Sequence, residues 1–466
     1  MNPFRRTRRR ALQYLSAGAA ASILPRLTGA SSTRPPNVVF ILADDLGYAD
    51  LSCYGRRDYQ TPQIDRLAGS GIKLTQAYSN SSVCSPTRCA LATGRYQYRL
   101  EVGLEEPIRF KAGDAGLPEG HPTLASLFRA RGYRTALIGK WHLGGDPEHG
   151  PLRHGYDHFF GVHGGAADYF THEFTAPATG TSDLFENEQR VRRQGYLTEL
   201  LTAEAQAEIE RNARRKQPFL LSLHYTAPHW PWEGPGDEAV SRALSSIYHA
   251  DGGSLPTYAR MMAALDEGVG RVLGELARRD LERDTVVVFT SDNGGERFSD
   301  TWPFTGMKGE LLEGGIRVPA IVRWPTRIVP GAVSGQVCAT MDWLPTLLAA
   351  ANGAPDAAYP SDGENLLPHL LGEAPVKPRT LYWRHKAHEQ AAVRAGDWKY
   401  LSLGGNEFLF DVARDPRERA NLKERDSGIF EGLKKDFAAW NQAMLPYSPE
   451  NNSISQKNPV RAADRY

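Results

Sequence analysis

Two continuous apolar segments, each ending in a pair of polar residues, most constrain the fold of this chain. Asn37–Ala43 runs directly into two aspartates, and the run at 285–290 is followed closely by an aspartate and an asparagine. Such runs are typical of strands buried on both faces, as in parallel sheets. In open α/β sheets ligands bind at the carboxyl ends of the strands, so these polar side chains are expected at a binding edge. They are Asp44, Asp45, Asp292 and Asn293.

Similar apolar runs alternate with helical patterns along most of the chain, which predicts an α/β fold with a large, mostly parallel sheet sandwiched by helices. Residues 145–195 show weak periodicity, and we expect loops plus a hairpin near the mouth of the site. Further strands are expected at 71–78, 134–139, 218–225 and 319–324, and helices at 61–67, 124–131, 197–215, 257–280 and 342–350.

The pattern changes after about residue 375, where short strands precede one helical stretch at 429–442. This order predicts a small C-terminal antiparallel sheet packed with one helix. We therefore expect a catalytic α/β domain over 36–375, a small α+β subdomain over 376–448 and a loose tail over 449–466.

The first thirty residues have the features of an export signal. Arginines precede an apolar stretch at 11–24, and Thr28-Gly29-Ala30 offers small residues for cleavage. The run Arg9-Arg10 resembles a twin-arginine signal. A basic tail with a short hydrophobic anchor is the alternative, but the stretch is short for a membrane span. We expect an exported bacterial protein, periplasmic or secreted, with export machinery as a partner and no stable span in the mature chain.

Composition narrows the classes of function. The net charge of +1 gives no support for binding nucleic acid through bulk electrostatics. The 4 cysteines match neither a zinc pattern nor a dense disulfide framework. If Cys84 is consumed in chemistry, Cys53, Cys89 and Cys338 leave room for at most one disulfide, and buried apolar packing is the simpler interpretation.

The polar pairs at the strand ends suit a hard divalent cation. One Asp-Asp pair alone is more often a turn or a helix cap. Two such pairs, each ending a buried strand, favour a metal site, because clustered carboxylates without a cation would repel one another. Ligands that are all oxygen favour Ca²⁺ or Mg²⁺.

A second motif is Cys84-Ser85-Pro86-Thr87-Arg88, continued by Thr93-Gly94-Arg95. It stands between a polar run and a helical patch, which places a potential nucleophile at the mouth of a helix. Amide donors and the helix dipole favour negative charge there, so an anion is expected to bind.

Several cationic and basic residues occur near the predicted strand ends. Arg88, Lys140 and Lys308 are expected in loops bounded by glycine or proline, and His142 and His229 likewise. A single such residue is most often a solvated surface group. Together they predict a positively charged pocket with two bases, which is what the transfer of a sulfuryl or phosphoryl group requires.

These motifs together resemble the type I sulfatases, within the alkaline-phosphatase-like superfamily. The resemblance extends from Pro36 to about Trp440, and the cysteine motif is its most specific part. The other motifs are less specific singly but occur in the family's order. The matching segments are Asn37–Asp45, Cys84–Arg95, Gly139–Gly144, Ala227–Pro231, Ser291–Gly294, Gly306–Glu310, Glu313–Pro319, Asp342–Thr346 and Leu409–Leu422.

The resemblance implies that a formylglycine-generating enzyme converts Cys84 to Cα-formylglycine, whose hydrate attacks the sulfur of a small sulfated substrate. It also implies one bound Ca²⁺. Its ligands would be Asp44, Asp45, Asp292, Asn293 and the modified residue 84.

The resemblance further implies roles for the cationic and basic residues. Arg88 and Lys140 would stabilise the hydrate and its developing charge. His142 would assist the elimination of sulfate. His229 and Lys308 would hold sulfate oxygens and protonate the leaving group.

Two alternatives remain open at the level of sequence. A phosphodiesterase or phosphonate monoester hydrolase could use the same scaffold, since phosphate and sulfate esters share geometry. A catalytically inactive binding protein would require a broken motif, and every motif position that can be checked is filled. For the substrate rim, aromatic stacking and plain loop packing are equally consistent with the pattern. The rim candidates are Tyr169, Trp230, Trp232 and Trp302, with His163, His172 and Glu173 in the long loop.

Overall fold

The computed structural model describes residues 35–108, 116–145 and 147–448. The predicted export signal at 1–30 and the tail at 449–466 lie outside these ranges. Within them, eleven strands form one large sheet. They are β1 (Asn37–Ala43), β2 (Ile72–Tyr78), β3 (Arg134–Lys140), β4 (His158–Val162), β5 (Leu184–Glu186), β6 (Gln189–Arg190), β7 (Phe219–His224), β8 (Thr285–Ser291), β9 (Arg317–Arg323), β10 (Ala332–Ser334) and β11 (Cys338–Ala339).

The helices alternate with these strands along the chain. The α-helices are α1 (Pro62–Gly69), α2 (Cys84–Thr93), α3 (Leu124–Ala130), α4 (Leu197–Arg215), α5 (Glu238–Ala243), α6 (Leu255–Arg278), α7 (Glu313–Ile316), α8 (Trp343–Ala350), α9 (Leu367–Leu370) and α10 (Ser427–Gln442). Short 3-10 helices lie at Ser52–Tyr54, Gln97–Arg99, Glu101–Leu104, Pro151–His154, Glu282–Asp284, Thr340–Asp342 and Ala387–Glu389.

The strand order of the large sheet is β10-β2-β9-β8-β1-β7-β3-β4-β5-β6, with β11 also paired to β2. The central strands β8, β1, β7, β3 and β4 run parallel, so their carboxyl ends share one edge. Strand β9 is antiparallel to both of its neighbours, β2 and β8. The prediction of a mostly parallel sheet is therefore confirmed.

Helices pack on both faces of the sheet, as predicted. Alternate residues of β1 point to opposite sides, so Ile41 joins a core that includes Leu265 of α6. Phe40 joins the core on the other face, where its ring lies 6.0 Å from that of Trp343 of α8. Burying each large apolar side chain stabilises the fold by about 1.5–3 kcal/mol, which explains the apolar run of β1.

The C-terminal region forms a separate four-stranded antiparallel meander, as predicted. Helix α10 covers one face through Phe430 and Leu433. The other face packs toward the large sheet, where the indole of Trp383 donates a 2.8 Å hydrogen bond to the carbonyl of Ser79. The strands are β12 (Thr380–His385), β13 (Gln390–Ala395), β14 (Trp398–Leu403) and β15 (Asn406–Asp411).

Residues 145–195 depart from the prediction. The expected hairpin is present as β5 and β6, but β4 also lies in this segment and pairs in parallel with β3. Gly161 interrupts the apolar run of β4 and obscures it in the sequence. A Cβ atom there would lie 1.9 Å from the carbonyl oxygen of Gly139, so close strand approach requires glycine.

None of the helices in the described ranges has the length and apolar character needed to cross a membrane. The four cysteines are free thiols in the structure. Cys84, Cys89 and Cys338 are buried, and Cys53 is half-buried.

Candidate active site

The carboxyl ends of β1 and β8 bring the four predicted oxygen ligands together. Ala43 lies opposite Ser291 in the register, so the residues that follow each strand are neighbours. The backbone N–H of Asp45 donates to Asp292 Oδ1 at 3.2 Å, and Asn293 Nδ2 donates to Asp45 Oδ1 at 2.7 Å. All four side chains, Asp44 included, are buried.

Cys84 is the first residue of α2, which confirms that it stands at the mouth of a helix. Candidate ligand atoms of Asp44, Asp45, Cys84 and His229 all lie within 4.8 Å of one another. Burial raises the pKa of the Cys84 thiol to about 12, although Lys140 opposes the shift. The thiol is therefore neutral near pH 7, and the helix dipole does not make it a charged nucleophile.

Arg88 lies one turn further along α2, and the prediction of a loop position was wrong. Proline is tolerated in a first helical turn, so Pro86 does not delay the start of the helix. The guanidinium is buried, with Nε donating to Asp292 Oδ2 at 3.0 Å and Nη1 donating to the carbonyl of Lys140 at 3.0 Å. This cation is thus fixed against one of the predicted metal ligands.

Lys140 is the last residue of β3, so its predicted loop position was also wrong. Its backbone is paired with Val162 of β4, which extends the strand by one residue. Its Nζ lies 2.6 Å from Asp44 Oδ2, and both side chains are 0% exposed. Loss of Lys140 would leave the buried Asp44 carboxylate with only the more distant guanidinium of Arg88, whose Nη2 lies 3.5 Å from Oδ1, so this ion pair is costly to break.

Lys308 and His229 form a hydrogen-bonded pair beside the carboxylate of Asp45. Lys308 Nζ lies 2.7 Å from Asp45 Oδ2 and 3.2 Å from His229 Nε2. Burial and the nearby Lys308 hold the pKa of His229 well below its usual value. Burial would lower the pKa of Lys308, but Asp45 raises it well above the usual range. The lysine is therefore charged and donates to a neutral imidazole.

His142 follows β3 by two residues and has a left-handed backbone conformation with φ of 55°. Its Nε2 is 3.1 Å from the carbonyl of Ile108, and Nδ1 has no hydrogen-bond partner among the described residues. Burial and Lys140 hold its pKa well below the usual value. The neutral ring donates from Nε2 and keeps a free acceptor at Nδ1.

Two residues near the site, Gln390 and Glu296, were not predicted to act in it, and Tyr169 has a contact other than the predicted one. Tyr169 Oη donates to the carbonyl of His229 at 2.9 Å and fixes that loop. Gln390 reaches the Lys308 loop from β13, donating to the carbonyl of Gly309 at 2.8 Å. Glu296 Oε2 lies 4.0 Å from Lys308 Nζ. The sequence offered a signal only for Glu296, which stands three residues after the predicted ligand Asn293.

Most of the predicted rim residues are packed inside the protein. His163, His172 and Glu173 are no more than 5% exposed, and the ring of His163 stacks on Phe159 at 5.1 Å. The prediction that these three residues line the rim was therefore wrong, because the segment that carries them folds with their side chains buried.

Of the four aromatic rim candidates, Tyr169 and Trp232 are buried and take the loop-packing alternative. Trp302 is 55% exposed and lies under the guanidinium of Arg417. Trp230 is half-buried, and its ring centroid lies 4.2 Å from that of His229. Trp230 is therefore the aromatic residue that borders the charged cluster most closely in these contacts.

The donor set fits a hard cation. Asp44 Oδ1 and Asn293 Oδ1 are buried oxygens that accept no hydrogen bond from the part of the chain described. Burial and the charge of Asp44 raise the pKa of Asp292 to about 7, a cost that a divalent cation would remove. The neutral thiol of Cys84 is the one poor ligand in the set, since hard cations prefer oxygen.

A mostly parallel α/β sheet with this edge of carboxylates and fixed cations defines a hydrolase of the alkaline-phosphatase-like superfamily. Residues 36–354 match the family model described as Sulfatase. The chain belongs to the type I sulfatase family and is a sulfuric ester hydrolase.

Individual relatives resemble most of the chain. Steryl-sulfatase of Mus musculus is 32% identical over 504 residues, covering 84% of this chain and 78% of that protein. Arylsulfatase A of Homo sapiens is 32% identical over 464 residues, covering 87% of each. The crystal structure of Ps i-CgsB in complex with k-i-k-neocarrahexaose superposes with a TM-score of 0.81 at 28% identity, covering 92% of this chain and 99% of that one.

Proposed function

We propose that this protein is an exported sulfatase acting on a small aryl sulfate or a sulfated sugar, through a formylglycine made from Cys84 and one bound Ca²⁺. One observation carries the proposal. The candidate ligand atoms of Asp44, Asp45, Cys84 and His229 lie within 4.8 Å of one another, and buried lysines flank them. Position 84 is thus beside both the metal ligands and the cations that would hold an anion.

The ion would be held by oxygens of Asp44, Asp45, Asp292 and Asn293, with an oxygen at position 84 in place of the thiol. When bound, Ca²⁺ would withdraw charge from the sulfate oxygens, and the hydrated aldehyde would supply the hydroxyl that attacks sulfur. A neutral thiol with a pKa of about 12 provides neither an oxygen ligand nor a charged nucleophile, which supports the conversion of Cys84.

The side chains themselves would orient the ester and move two protons. Lys140 and Arg88 are held by Asp44 and Asp292, and they would stabilise the hydrate and the charge that develops on it. Preorganised charges of this kind favour the transition state, since they need no reorganisation as charge develops.

Lys308 would hold a sulfate oxygen, and the Lys308–His229 pair would deliver a proton to the departing alcohol oxygen. A lysine N–H already donates to His229 Nε2, so the proton path is short. His142 Nδ1 accepts no hydrogen bond from the described part of the chain and would take the proton released as sulfate leaves.

Mass spectrometry of the peptide containing residue 84 tests the modification directly. Formylglycine would lower its mass by about 18 Da relative to cysteine, because oxygen replaces the thiol and a hydrogen. Active enzyme with unmodified Cys84 would contradict the mechanism. Rates on matched sulfated and phosphorylated aryl esters then test the reaction, and faster phosphate turnover would instead favour a phosphodiesterase or phosphonate monoester hydrolase.

Export is tested by expressing the full chain in a bacterium with an intact twin-arginine system. We expect activity outside the cytoplasm and a mature protein lacking approximately the first thirty residues. Replacing Arg9 and Arg10 by lysine should retain the protein inside the cell. Unchanged export of that variant would contradict the twin-arginine route.

A further inference from the structure

Glu296 places a carboxylate beside the cations that would bind the sulfate. It follows β8 within the loop that carries Asn293, and its Oε2 lies 4.0 Å from Lys308 Nζ. That oxygen is buried and accepts no hydrogen bond from any described residue. The side chain as a whole is 30% exposed, so the carboxylate borders open space.

A carboxylate at this position is unfavourable for binding an anion. Asp44 and Asp45 each have a close lysine, at 2.6 and 2.7 Å, whereas the separation of Glu296 from Lys308 is much longer. Burial raises the pKa of Glu296 and the carboxylate of Asp45 adds to the shift, although Lys308 opposes it. A buried oxygen that lacks a donor is unfavourable, and a hydroxyl or amino group of a ligand would supply that donor.

Aromatic rings lie beside this carboxylate. The ring centroid of Trp230 lies 5.8 Å from Lys308 Nζ, so the indole borders the same lysine as Glu296. A hydrogen bond with the Trp230 side chain also lowers the pKa of Glu296. The ring of Trp230 in turn lies 5.0 Å from that of Tyr248, which is 49% exposed. An aromatic pair next to a hydrogen-bond acceptor suits a sugar ring. The aromatic rings can contact the apolar C–H groups on its face, and the acceptor can bind a hydroxyl group at its edge.

We propose that Glu296 accepts a hydrogen bond from a hydroxyl or amino group that neighbours the sulfate on the leaving alcohol, while Trp230 and Tyr248 contact its ring. This inference rests on the proposed function and selects a sulfated sugar over a simple aryl sulfate as the substrate class. Glu296 is then a specificity-determining residue, and Lys308 is shared between the sulfate and the alcohol.

The test compares kcat/KM for three substrates. They are a monosaccharide sulfate with a free hydroxyl next to the ester, its O-methylated analogue, and 4-nitrophenyl sulfate. The wild type should prefer the free hydroxyl by about tenfold or more, as expected for a hydrogen bond to a charged acceptor. The variant Glu296→Gln should reduce that preference to below about threefold, because its loss in kcat/KM should be larger on the substrate with the free hydroxyl than on the other two.

Glu431→Gln, an exposed change on α10, is the matched control and should leave all three rates unchanged. Equal losses on all three substrates in Glu296→Gln would overturn the proposal and show that Glu296 acts through Lys308. A wild type without preference for the free hydroxyl would overturn it as well. The proposed function fails separately, if the wild type carries formylglycine at position 84 and hydrolyses none of the sulfate esters.

Discussion

Gln390 donates a 2.8 Å hydrogen bond from Nε2 to the carbonyl oxygen of Gly309, and so joins the C-terminal sheet to the loop that carries Lys308. The same amide accepts a 2.8 Å bond from the backbone N–H of Leu311 through Oε1. The buried side chain therefore fixes the loop on both sides of Glu310 in the manner of a neighbouring strand. The position of the Lys308 loop therefore depends on a residue that lies 81 positions beyond Gly309 in the chain.

Replacing Gln390 by alanine should lower kcat/KM by about tenfold or more, because a small displacement of a positioned cation is costly to catalysis. The free energy of unfolding should fall by only about 1–3 kcal/mol, the cost of leaving the buried backbone N–H of Leu311 without its acceptor. Kinetics and urea denaturation check the two effects. Gln206→Ala removes a surface amide that contacts Arg271 and should change neither. Equal activity in both variants would contradict the positioning role.

The buried pair of Lys140 and Asp44 leads to a prediction about stability. Lys140→Met should destabilise the metal-free protein by about 3–5 kcal/mol, because it leaves the Asp44 carboxylate buried without its lysine. The double variant Lys140→Met/Asp44→Asn should recover most of that loss and still lack activity. Urea denaturation in the presence of a chelator measures both.

The control for this pair is an exposed ion pair. Arg242 and Glu238 lie 2.6 Å apart on α5, and both side chains are more than half exposed. Arg242→Met should change stability by no more than about 1 kcal/mol. If Lys140→Met proves equally mild, the ion pair with Asp44 contributes little to the fold.

The sequence was most informative where one chain segment determines the structure. The apolar runs of β1 and β8 and the polar residues after them predicted the sheet edge, because strand direction alone brings their ends together. Gln390 could not be predicted, since its contacts depend on how a separate sheet packs against the Lys308 loop. Lys140 and Arg88 do pair with the predicted ligands Asp44 and Asp292, but their predicted local structure was wrong. Nearby glycine and proline residues suggested loops for both. Lys140 is instead in a strand because it pairs with β4, and Arg88 is in a helix because the first helical turn tolerates Pro86.

The proposed metal site, with four candidate oxygen ligands at the strand ends, predicts that the protein depends on a metal ion. Chelation should lower both activity and melting temperature, and Ca²⁺ should restore them. At a free concentration one hundred times Kd, the ion should stabilise the fold by about 2.7 kcal/mol. Asp44→Asn should weaken or remove the shift in melting temperature, whereas the exposed Asp436→Asn on α10 should retain it. A wild-type melting temperature that does not change when Ca²⁺ is added would contradict the proposed metal site.

His154 gives a pH dependence that is separate from catalysis. Its ring is 2% exposed and stacks on Trp141 at 5.6 Å, and neither ring nitrogen has a hydrogen-bond partner within the described ranges. Burial lowers its pKa from 6.5 to about 4. The unfolded chain therefore binds the proton more readily, and the stability contribution is complete above pH 6.5 and declines as the pH falls toward 4.

The variant His154→Phe keeps the aromatic packing and removes the titrating group. The free energy of unfolding of the wild type should fall more steeply from pH 7 to pH 4.5 than that of the variant. The difference should be no more than about 3 kcal/mol, from a pKa shift of roughly two and a half units. Urea denaturation at both pH values measures it. Parallel pH profiles for the two proteins would show that the ring of His154 is protonated in the folded state as readily as in the unfolded chain, because only a difference in proton binding between these states makes stability depend on pH.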